Sequence, residues 1–297
     1  MCGDSCREIV SLYNVASMKT FWIITGIILI AGAGVLFFVV KNKTQAKGDM
    51  LAANVIEALP PEPAGPVITH IPTPKPVRTV YMSSWIASGA TNRAKIVKLA
   101  DETEINSILI DIKDDTGRIS FLVDDPKLIE LGSPEKRIRD IIPFIQELHA
   151  KNIYVIGRVS VFQDPYMTKR MPEWAITRKS DGQVWKDRKG LSFLDPSKKE
   201  VWDYTVSIAK AAYAVGFDEI NFDYIRYPSD GNIKDINYNL VDANGVTKTR
   251  ADNIEAFWNY LHDQMKSEVD IPISADLFGL VTTAKDDLGI GQVLERA

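Results

Sequence analysis

The chain has 297 residues, of which 45% are hydrophobic and 25% charged, a composition typical of globular proteins rather than of disordered or fibrous ones. Its formal net charge of −4 gives no electrostatic basis for nucleic-acid binding, which favours a basic face. The two cysteines, Cys2 and Cys6, exclude a disulfide scaffold and a cysteine-ligated zinc site in the body of the chain. Because His70, His149 and His262 are far apart in sequence, chemistry based on paired histidines is not expected.

Residues 21–40 read FWIITGIILIAGAGVLFFVV and carry no charge. At about 1.5 Å per residue a helix of this length spans roughly 30 Å, the thickness of the hydrocarbon core of a bilayer. Because Lys41 and Lys43 follow in place of a small-residue cleavage site, the pattern favours a membrane anchor over a cleaved signal peptide. We therefore predict a short N-terminal segment over residues 1–20, a transmembrane helix over residues 21–40, and a C-terminal part outside the cytoplasm.

Residues 41–76 are predicted to form a linker. Seven of the fifteen prolines of the chain fall between Pro60 and Pro76. Such a density of proline disfavours helices and central strands and favours an extended polyproline II conformation. We expect a semi-rigid tether between the membrane helix and the domain that follows.

From residue 77 onward the sequence alternates between strand-like and helix-like blocks. The predicted strands lie at residues 77–85, 107–115, 153–162, 218–228 and 271–279. One intervening helix is predicted to begin at Ser133 and Pro134, a good N-cap followed by a residue suited to the first helical position. Strands separated by helices predict a parallel sheet, and no glycine-rich dinucleotide motif follows the first strand.

The predicted fold class is therefore α/β, a (β/α) TIM-type barrel over residues 77–297. A closed barrel of eight strands takes about 250 residues, and this part of the chain supplies five convincing strands. We expect a barrel truncated after about five βα units, with a six-stranded or open variant as the alternative.

Polar side chains occur near the carboxyl end of four predicted strands, opposite an apolar face. Alternate side chains of a strand share a face, so these groups point to the barrel axis while the apolar ones meet the helices. Barrel enzymes carry their catalytic groups at this end. The residues expected to converge at one mouth are Asp111, Lys113, Arg158, Asp223 and Asp276. A network of ion pairs with a purely structural role is the alternative.

Four motifs carry a resemblance to a known family: IDIKDDTG at residues 110–117, PEWAITRKSDGQVW at 172–185, LDPSKKEVWDY at 194–204 and FDYIRYP at 222–228. Over about residues 77–297 the chain resembles a bacterial family of glycosyl-hydrolase-like barrels, distantly similar to the α-amylase superfamily. The resemblance implies a nucleophilic aspartate at the end of the fourth strand, which Asp223 matches. The amylase pattern has a glutamate acid on the fifth strand, where this sequence has Asp276.

Glycosidic cleavage uses two carboxyl groups, one ionised and one protonated. Asp223 and Asp276 stand on adjacent predicted strands with the same facing, and neighbouring strands are about 4.8 Å apart. We expect their carboxyl groups to lie about 5–6 Å apart, close to the separation found in retaining enzymes. Asp111, Asp114 or a residue beyond Ala297 is the alternative acid.

Aromatic and basic side chains complete the predicted site. Flat aromatic groups on loops above a barrel mouth suit the apolar faces of sugars, and arginines beside a carboxylate lower its pKa. The predicted substrate-binding residues are Asp111, Lys113, Arg158, Arg226, Trp85, Trp174 and Trp185. The alternative for each loop tryptophan is that it packs the loop onto the barrel, and the alternative for Arg158 is a structural pair with Asp223.

The sequence thus predicts a membrane-anchored glycoside hydrolase of the bacterial cell envelope that acts on a polysaccharide or oligosaccharide. Its expected partners are this glycan and the lipid bilayer, contacted through residues 21–40, and not nucleic acid. A non-catalytic carbohydrate-binding barrel and a structural envelope protein are the alternatives. No cofactor and no metal are predicted, although a calcium site is conceivable at Asp114, Asp115, Asp124 and Asp125.

Overall fold

The computed structural model describes residues 66–242, 244–267 and 269–296. The predicted membrane helix at residues 21–40, the segment before it and the first part of the linker lie outside these residues. Among the helices in the described ranges, none has both the length and the apolar character needed to cross a membrane.

A parallel sheet of five strands forms the centre of the domain. The strands in the described ranges are β1 (Thr79–Met82), β2 (Ser107–Lys113), β3 (Tyr154–Ser160), β4 (Thr177–Arg178), β5 (Glu219–Asp223), β6 (Ile236–Asn237) and β7 (Ile273–Ala275). The main sheet has the order β1-β2-β3-β5-β7, whereas β4 and β6 pair antiparallel in a separate sheet. The five predicted strands are confirmed. Because their spatial order follows the chain, the topology is that of consecutive barrel strands rather than of a doubly wound sheet.

Helices connect the strands and cover one face of the main sheet. They are α1 (Ser84–Ala87), α2 (Ala90–Glu102), α3 (Pro126–Glu130), α4 (Ile141–Ala150), α5 (Pro165–Arg170), α6 (Lys199–Ala214) and α7 (Arg250–Lys266). Strand β2 shows how they pack, because Ile108, Ile110 and Ile112 are completely buried in the core shared with these helices. Burying one such side chain contributes about 1.5–3 kcal/mol to the free energy of unfolding.

The helix predicted to begin at Ser133 and Pro134 begins later, since α4 starts at Ile141. Ser133 lies instead in a turn whose backbone pairs with an extended segment: its carbonyl oxygen accepts a hydrogen bond from Ile119 N. Its hydroxyl is buried and lies 2.6 Å from the hydroxyl of Tyr204 on α6. Tertiary pairing therefore outweighs the local capping signal.

The last residues of the predicted linker are attached to the domain. Ile71 N donates a hydrogen bond of 2.8 Å to Asp218 just before β5, and the hydroxyls of Thr73 and Tyr154 are 3.0 Å apart. Residues 66–76 thus contact the amino ends of β3 and β5 and belong to the same compact unit as the sheet.

Two of the histidines meet at the same carboxylate, although they are 79 positions apart in sequence. Nε2 of His149 lies 2.9 Å from Asp218, and Nδ1 of His70 lies 3.8 Å from it. The His70 ring stacks on Tyr213 with a centroid distance of 3.8 Å, and burial lowers the pKa of this histidine. These contacts are at the amino end of the sheet and fasten the segment around residue 70.

Candidate active site

Polar side chains occupy one face of the main sheet from edge to edge. Asp111 on β2 is the register neighbour of Arg158 on β3, which in turn neighbours Asn221 on β5, and Asn221 neighbours Ser274 on β7. The sheet register therefore aligns four polar groups in one row, as the alternation of the sequence predicts. Asp223 and Asp276 lie two positions further along β5 and just after β7, at the carboxyl ends of the strands.

Arg158 is the centre of this cluster. Its Nη1 donates to Asp111 at 2.9 Å, and its Nε and Nη2 both donate to Oδ2 of Asp223, Nε at 3.0 Å. On the other side of Asp111, the hydroxyl of Tyr81 on β1 donates at 2.7 Å. Burial works against the charge of Arg158, but Asp223 and Asp111 outweigh it and raise the pKa of this arginine. Arg158 thus pairs with Asp223, and it also brings Asp111 and Asp223 together in one cluster.

A left-handed turn follows Asp223. The next residue, Tyr224, has a φ of 54°, a conformation that costs a residue other than glycine about 1–3 kcal/mol. The turn brings Tyr224 N to 2.6 Å from Oδ1 of Asp223. Together with Arg158 this gives Asp223 three hydrogen-bond donors, which fix the orientation of a carboxylate whose side chain is 21% exposed.

Asp276 shares the same end of the sheet with Asp223. Its Oδ2 lies 3.9 Å from Nε of Arg158, the atom that also contacts Asp223, and its Oδ1 accepts a hydrogen bond of 3.4 Å from Asn221. The two carboxylate oxygens nearest Nε are therefore at most about 7 Å apart, within the range that paired glycosidase carboxyl groups use.

The two carboxyl groups have different surroundings. Partial burial, followed by the neighbouring Asp223 carboxylate, raises the pKa of Asp276, and this effect exceeds the lowering by Asn221 and Arg158. The surroundings of Asp276 thus shift its equilibrium toward the protonated form, whereas the neighbouring Asp223 carboxylate is held by an arginine. A pair of carboxyl groups whose environments differ in this way is suited to acid and nucleophile roles.

A cavity of about 200 Å³ opens between the loops that follow β5 and β7, and Asp223 and Asp276 both line it. Gln292 connects the two loops, because its side chain accepts from Phe278 N at 2.9 Å and donates to the carbonyl oxygen of Ile225 at 3.1 Å. The other lining residues are Tyr224, Arg226, Leu277, Phe278 and Gly279. Of these only Arg226 was predicted. Tyr224 lies within the motif FDYIRYP and Phe278 within the predicted fifth strand, but no local pattern distinguishes Gln292.

A larger cavity, of about 540 Å³, lies between residues 178–186 and residues 232–235. Its one carboxyl group, Asp235, is already bonded by the backbone and side chain of Ser180, at 3.0 and 2.8 Å. Because paired carboxyl groups are found only in the smaller of these two cavities, we place the candidate active site there.

Lys113 does not join the cluster, contrary to the prediction. The pairing of β2 with β3 shifts register between Asp111 and Lys113, so the alternation on which the prediction depends is broken at this point. The ammonium group of Lys113 is buried, 2.7 Å from Oδ2 of Asp164 and 3.2 Å from the carbonyl oxygen of Val161. Lys113 therefore holds the loop after β3 and is not available to a ligand.

Trp174 and Trp185 also differ from the prediction, because neither exposes an aromatic face. Trp174 is 8% exposed and packs on Tyr204 with a centroid distance of 6.0 Å. Trp185 is 1% exposed, and its Nε1 donates to the carbonyl oxygen of Asn232. Both side chains pack the loop after β3 onto the domain, which is the alternative role considered for them.

Trp85, by contrast, is 63% exposed. It stands on α1 directly after β1, at the carboxyl end of the sheet, and the guanidinium of Arg137 lies 4.1 Å from the centre of its ring. Arg137 is itself held by Asp114 and by Glu135. Burial opposes ionisation of Asp114, but Thr116 and Arg137 outweigh it and lower the pKa of this carboxyl, which makes Asp114 a poor general acid.

Two of the four acidic residues considered for calcium have protein partners. Asp114 binds Arg137, and Asp125 caps α3 by accepting from Leu128 N at 2.9 Å. Within residues 66–242, 244–267 and 269–296, no group of three or more histidine, cysteine or acidic side chains is placed to hold a metal ion.

The chain is similar to a bacterial protein of known structure. A hypothetical protein from Ruminiclostridium thermocellum ATCC 27405 is 34% identical, with a TM-score of 0.60, over 67% of this chain and 98% of that one. No curated protein sequence matches the chain.

Two glycosidases of known structure are similar to this chain at a lower level. The α-galactosidase of Thermus thermophilus is 14% identical with a TM-score of 0.43, over 67% of this chain and 40% of that one. A maltogenic α-amylase of Thermotoga neapolitana is 15% identical with a TM-score of 0.44, over 68% and 46%. The chain spans less than half of the length of either enzyme.

A family model described as "Putative glycosyl hydrolase domain" matches residues 79–297. The match covers the whole sheet and both candidate carboxyl groups, and it agrees with the family that the sequence motifs resemble. The chain therefore belongs to this family of glycosyl-hydrolase-like domains.

Proposed function

We propose that this protein is a glycoside hydrolase whose reaction is carried out by Asp223 and Asp276. The observation that supports this proposal most strongly is the pair itself: two carboxyl groups within about 7 Å, in one cavity, with different surroundings. The membership of the glycosyl hydrolase-like family supports the same reaction class.

The surroundings of the two carboxyl groups support one distribution of the two roles. Asp223, oriented by Arg158 and by the backbone of Tyr224, attacks the anomeric carbon from one face of the sugar. Asp276, the carboxyl with the raised pKa, gives its proton to the departing glycosidic oxygen. Asp276 then removes a proton from the water that displaces the sugar from Asp223, so the product keeps its configuration. NMR analysis of the first product formed tests this outcome, since an inverted product would contradict Asp223 as nucleophile.

The raised pKa of Asp276 predicts a specific pH dependence. A general acid works only while protonated, so kcat/KM should fall as the pH rises through the pKa of Asp276. The variant Asp276→Asn should lose this alkaline limb and retain more activity on aryl glycosides, whose leaving groups need little protonation, than on a natural glycan. The pH profiles of both proteins on both substrates measure this. An unchanged alkaline limb in Asp276→Asn would assign the acid to another group, with Asp111 the next candidate.

Trp85 is exposed and Trp185 is buried, so their substitution should have opposite effects on glycan binding and stability. Trp85→Ala removes an exposed ring, so it should change the free energy of unfolding by less than about 1 kcal/mol while weakening glycan binding. Trp185→Phe removes a buried hydrogen bond and part of a buried ring, so it should cost about 1–3 kcal/mol without changing glycan affinity. Urea denaturation and glycan titration of both variants distinguish the roles. A loss of glycan affinity in Trp185→Phe but not in Trp85→Ala would reverse the two assigned roles.

We further propose that the domain acts outside the cytoplasm and is anchored by residues 21–40, with a cell-envelope polysaccharide as substrate. Support comes from the uncharged apolar stretch and the proline-rich segment after it. Fractionation of cells, followed by protease treatment of intact spheroplasts, tests the topology: recovery of the protein in the soluble cytoplasmic fraction would contradict it.

A carbohydrate-binding role without catalysis is the second candidate, because the exposed Trp85 fits it equally well. Glycan binding by the wild-type protein without release of reducing ends would favour this candidate.

A further inference from the structure

Arg226 lines the same cavity as Asp223 and Asp276. Two aromatic rings lie beside its guanidinium: the ring of Tyr224 has its centre 5.3 Å away, and the ring of Phe278 has its centre 5.7 Å away. Nη1 donates a hydrogen bond of 2.8 Å to the hydroxyl of Ser229. These three contacts hold the guanidinium at the wall of the cavity.

Among the described residues, the side-chain partner of Arg226 is a neutral hydroxyl. In the part of the chain that the structure describes, no carboxylate forms an ion pair with it, whereas Arg158 contacts three carboxylates and Arg137 contacts two. An arginine has five N–H donors, and the hydrogen bond to Ser229 uses one. Nε and Nη2 form an edge that can bind a carboxylate with two parallel hydrogen bonds.

An uncommitted positive charge next to two catalytic carboxyl groups has a consequence for the substrate. Asp223 and Asp111 already neutralise Arg158, so the cavity without Arg226 would repel a negatively charged sugar. We propose that Arg226 binds the carboxylate of an acidic sugar, and that the substrate is a glycan containing uronic acid or a similarly carboxylated residue next to the cleaved bond. This inference rests on the proposed function.

The test uses the full chain and pairs of glycans that differ in one group. Polygalacturonate, alginate and hyaluronan are each compared with the same polymer after chemical reduction of its carboxylates to alcohols. We expect the protein to bind and cleave at least one acidic polymer about 10-fold or more better than its reduced form, because a charge-assisted bidentate contact is lost on reduction.

Substitution connects this preference to Arg226. Arg226→Gln should weaken binding of the acidic polymer about 10- to 100-fold and leave binding of the reduced polymer nearly unchanged. The matched control is Arg78→Gln, because Arg78 is exposed and directly precedes β1, at the opposite end of the sheet. This control should keep the affinity of the wild-type protein for both polymers.

The remaining outcomes separate this inference from the proposed function. Three results would overturn the inference while leaving the proposed hydrolysis intact. They are equal activity on acidic and reduced polymers, binding of neutral glycans alone, and an equal loss of affinity for both polymers in Arg226→Gln. Binding of an acidic polymer that depends on Arg226 but is not followed by cleavage would uphold the inference and overturn the proposed hydrolysis.

Discussion

Replacing Asp223 by asparagine should reduce kcat on any glycan that the wild-type protein hydrolyses by at least about 10³-fold. Asparagine has the shape of aspartate but cannot form the covalent bond to the sugar. Folding should be largely preserved, because Arg158 keeps its bond to Asp111 and is itself 19% exposed. We expect the melting temperature to fall by a few degrees only, which corresponds to about 1–2 kcal/mol.

The control for this variant is Asp263→Asn, which changes a carboxyl whose side chain is 78% exposed on α7. It should leave both kcat and the melting temperature unchanged. Three results would contradict the role of Asp223 in different ways. A large loss of stability in Asp223→Asn would indicate a structural ion-pair network. Full activity would exclude Asp223 as nucleophile. Unchanged glycan binding with no hydrolysis by the wild-type protein would indicate a carbohydrate-binding domain.

Replacing Lys113 by methionine should cost about 3–5 kcal/mol of unfolding free energy at neutral pH. Methionine fills a similar volume but leaves the carboxylate of Asp164, which is fully buried, without its cation. Asp164 cannot turn away, because its Oδ1 also accepts from Met167 N at 2.7 Å and caps α5. Urea denaturation followed by circular dichroism measures the loss.

The pH dependence of this loss identifies its cause. Burial raises the pKa of Asp164 above its ordinary value of 3.8, even though Lys113 lowers it. Without Lys113 the pKa should rise further, so the folded variant binds a proton that the unfolded chain releases, and its stability should increase as the pH falls through that raised pKa. The difference in stability between wild-type protein and variant should therefore be largest near pH 7 and shrink toward the ordinary carboxyl pKa.

Lys98→Met is the matched control, since Lys98 forms an exposed ion pair with Glu102 on α2. It should change the unfolding free energy by less than about 1 kcal/mol at any pH. A loss in Lys113→Met that is the same at every pH would mean that packing, rather than the buried charge of Asp164, is the cause.

The sequence predicted the five strands and their order because each has an apolar face with a period of two. The same alternation placed Asp111, Arg158, Asp223 and Asp276 correctly on one face of the sheet. The positions of these side chains follow from strand register alone. Register is strongly specified when one face of a sheet is buried, because a shift by one residue would expose the apolar side chains.

The errors occur where this period is interrupted. The irregularity between Asp111 and Lys113 turns the lysine to the other side, and no sequence pattern marks it. Trp174 and Trp185 lie in a long loop, where polar neighbours did not reveal that the loop folds over both rings. Ser133 has the local signals of a helix start, but its backbone forms hydrogen bonds with Ile119 and Leu128 instead. Gln292 reaches the cavity from a distant segment, a contact that sequence spacing does not encode.

The attachment of residues 66–76 at the amino ends of the strands has a practical consequence. The chain enters the domain through contacts with Asp218 and Tyr154, whereas the cavity of Asp223 opens at the carboxyl ends, on the opposite side. A tag or surface linkage placed within residues 66–76 would thus lie at the opposite end of the sheet from the cavity, where it leaves the approach of large polymers to Asp223 unobstructed.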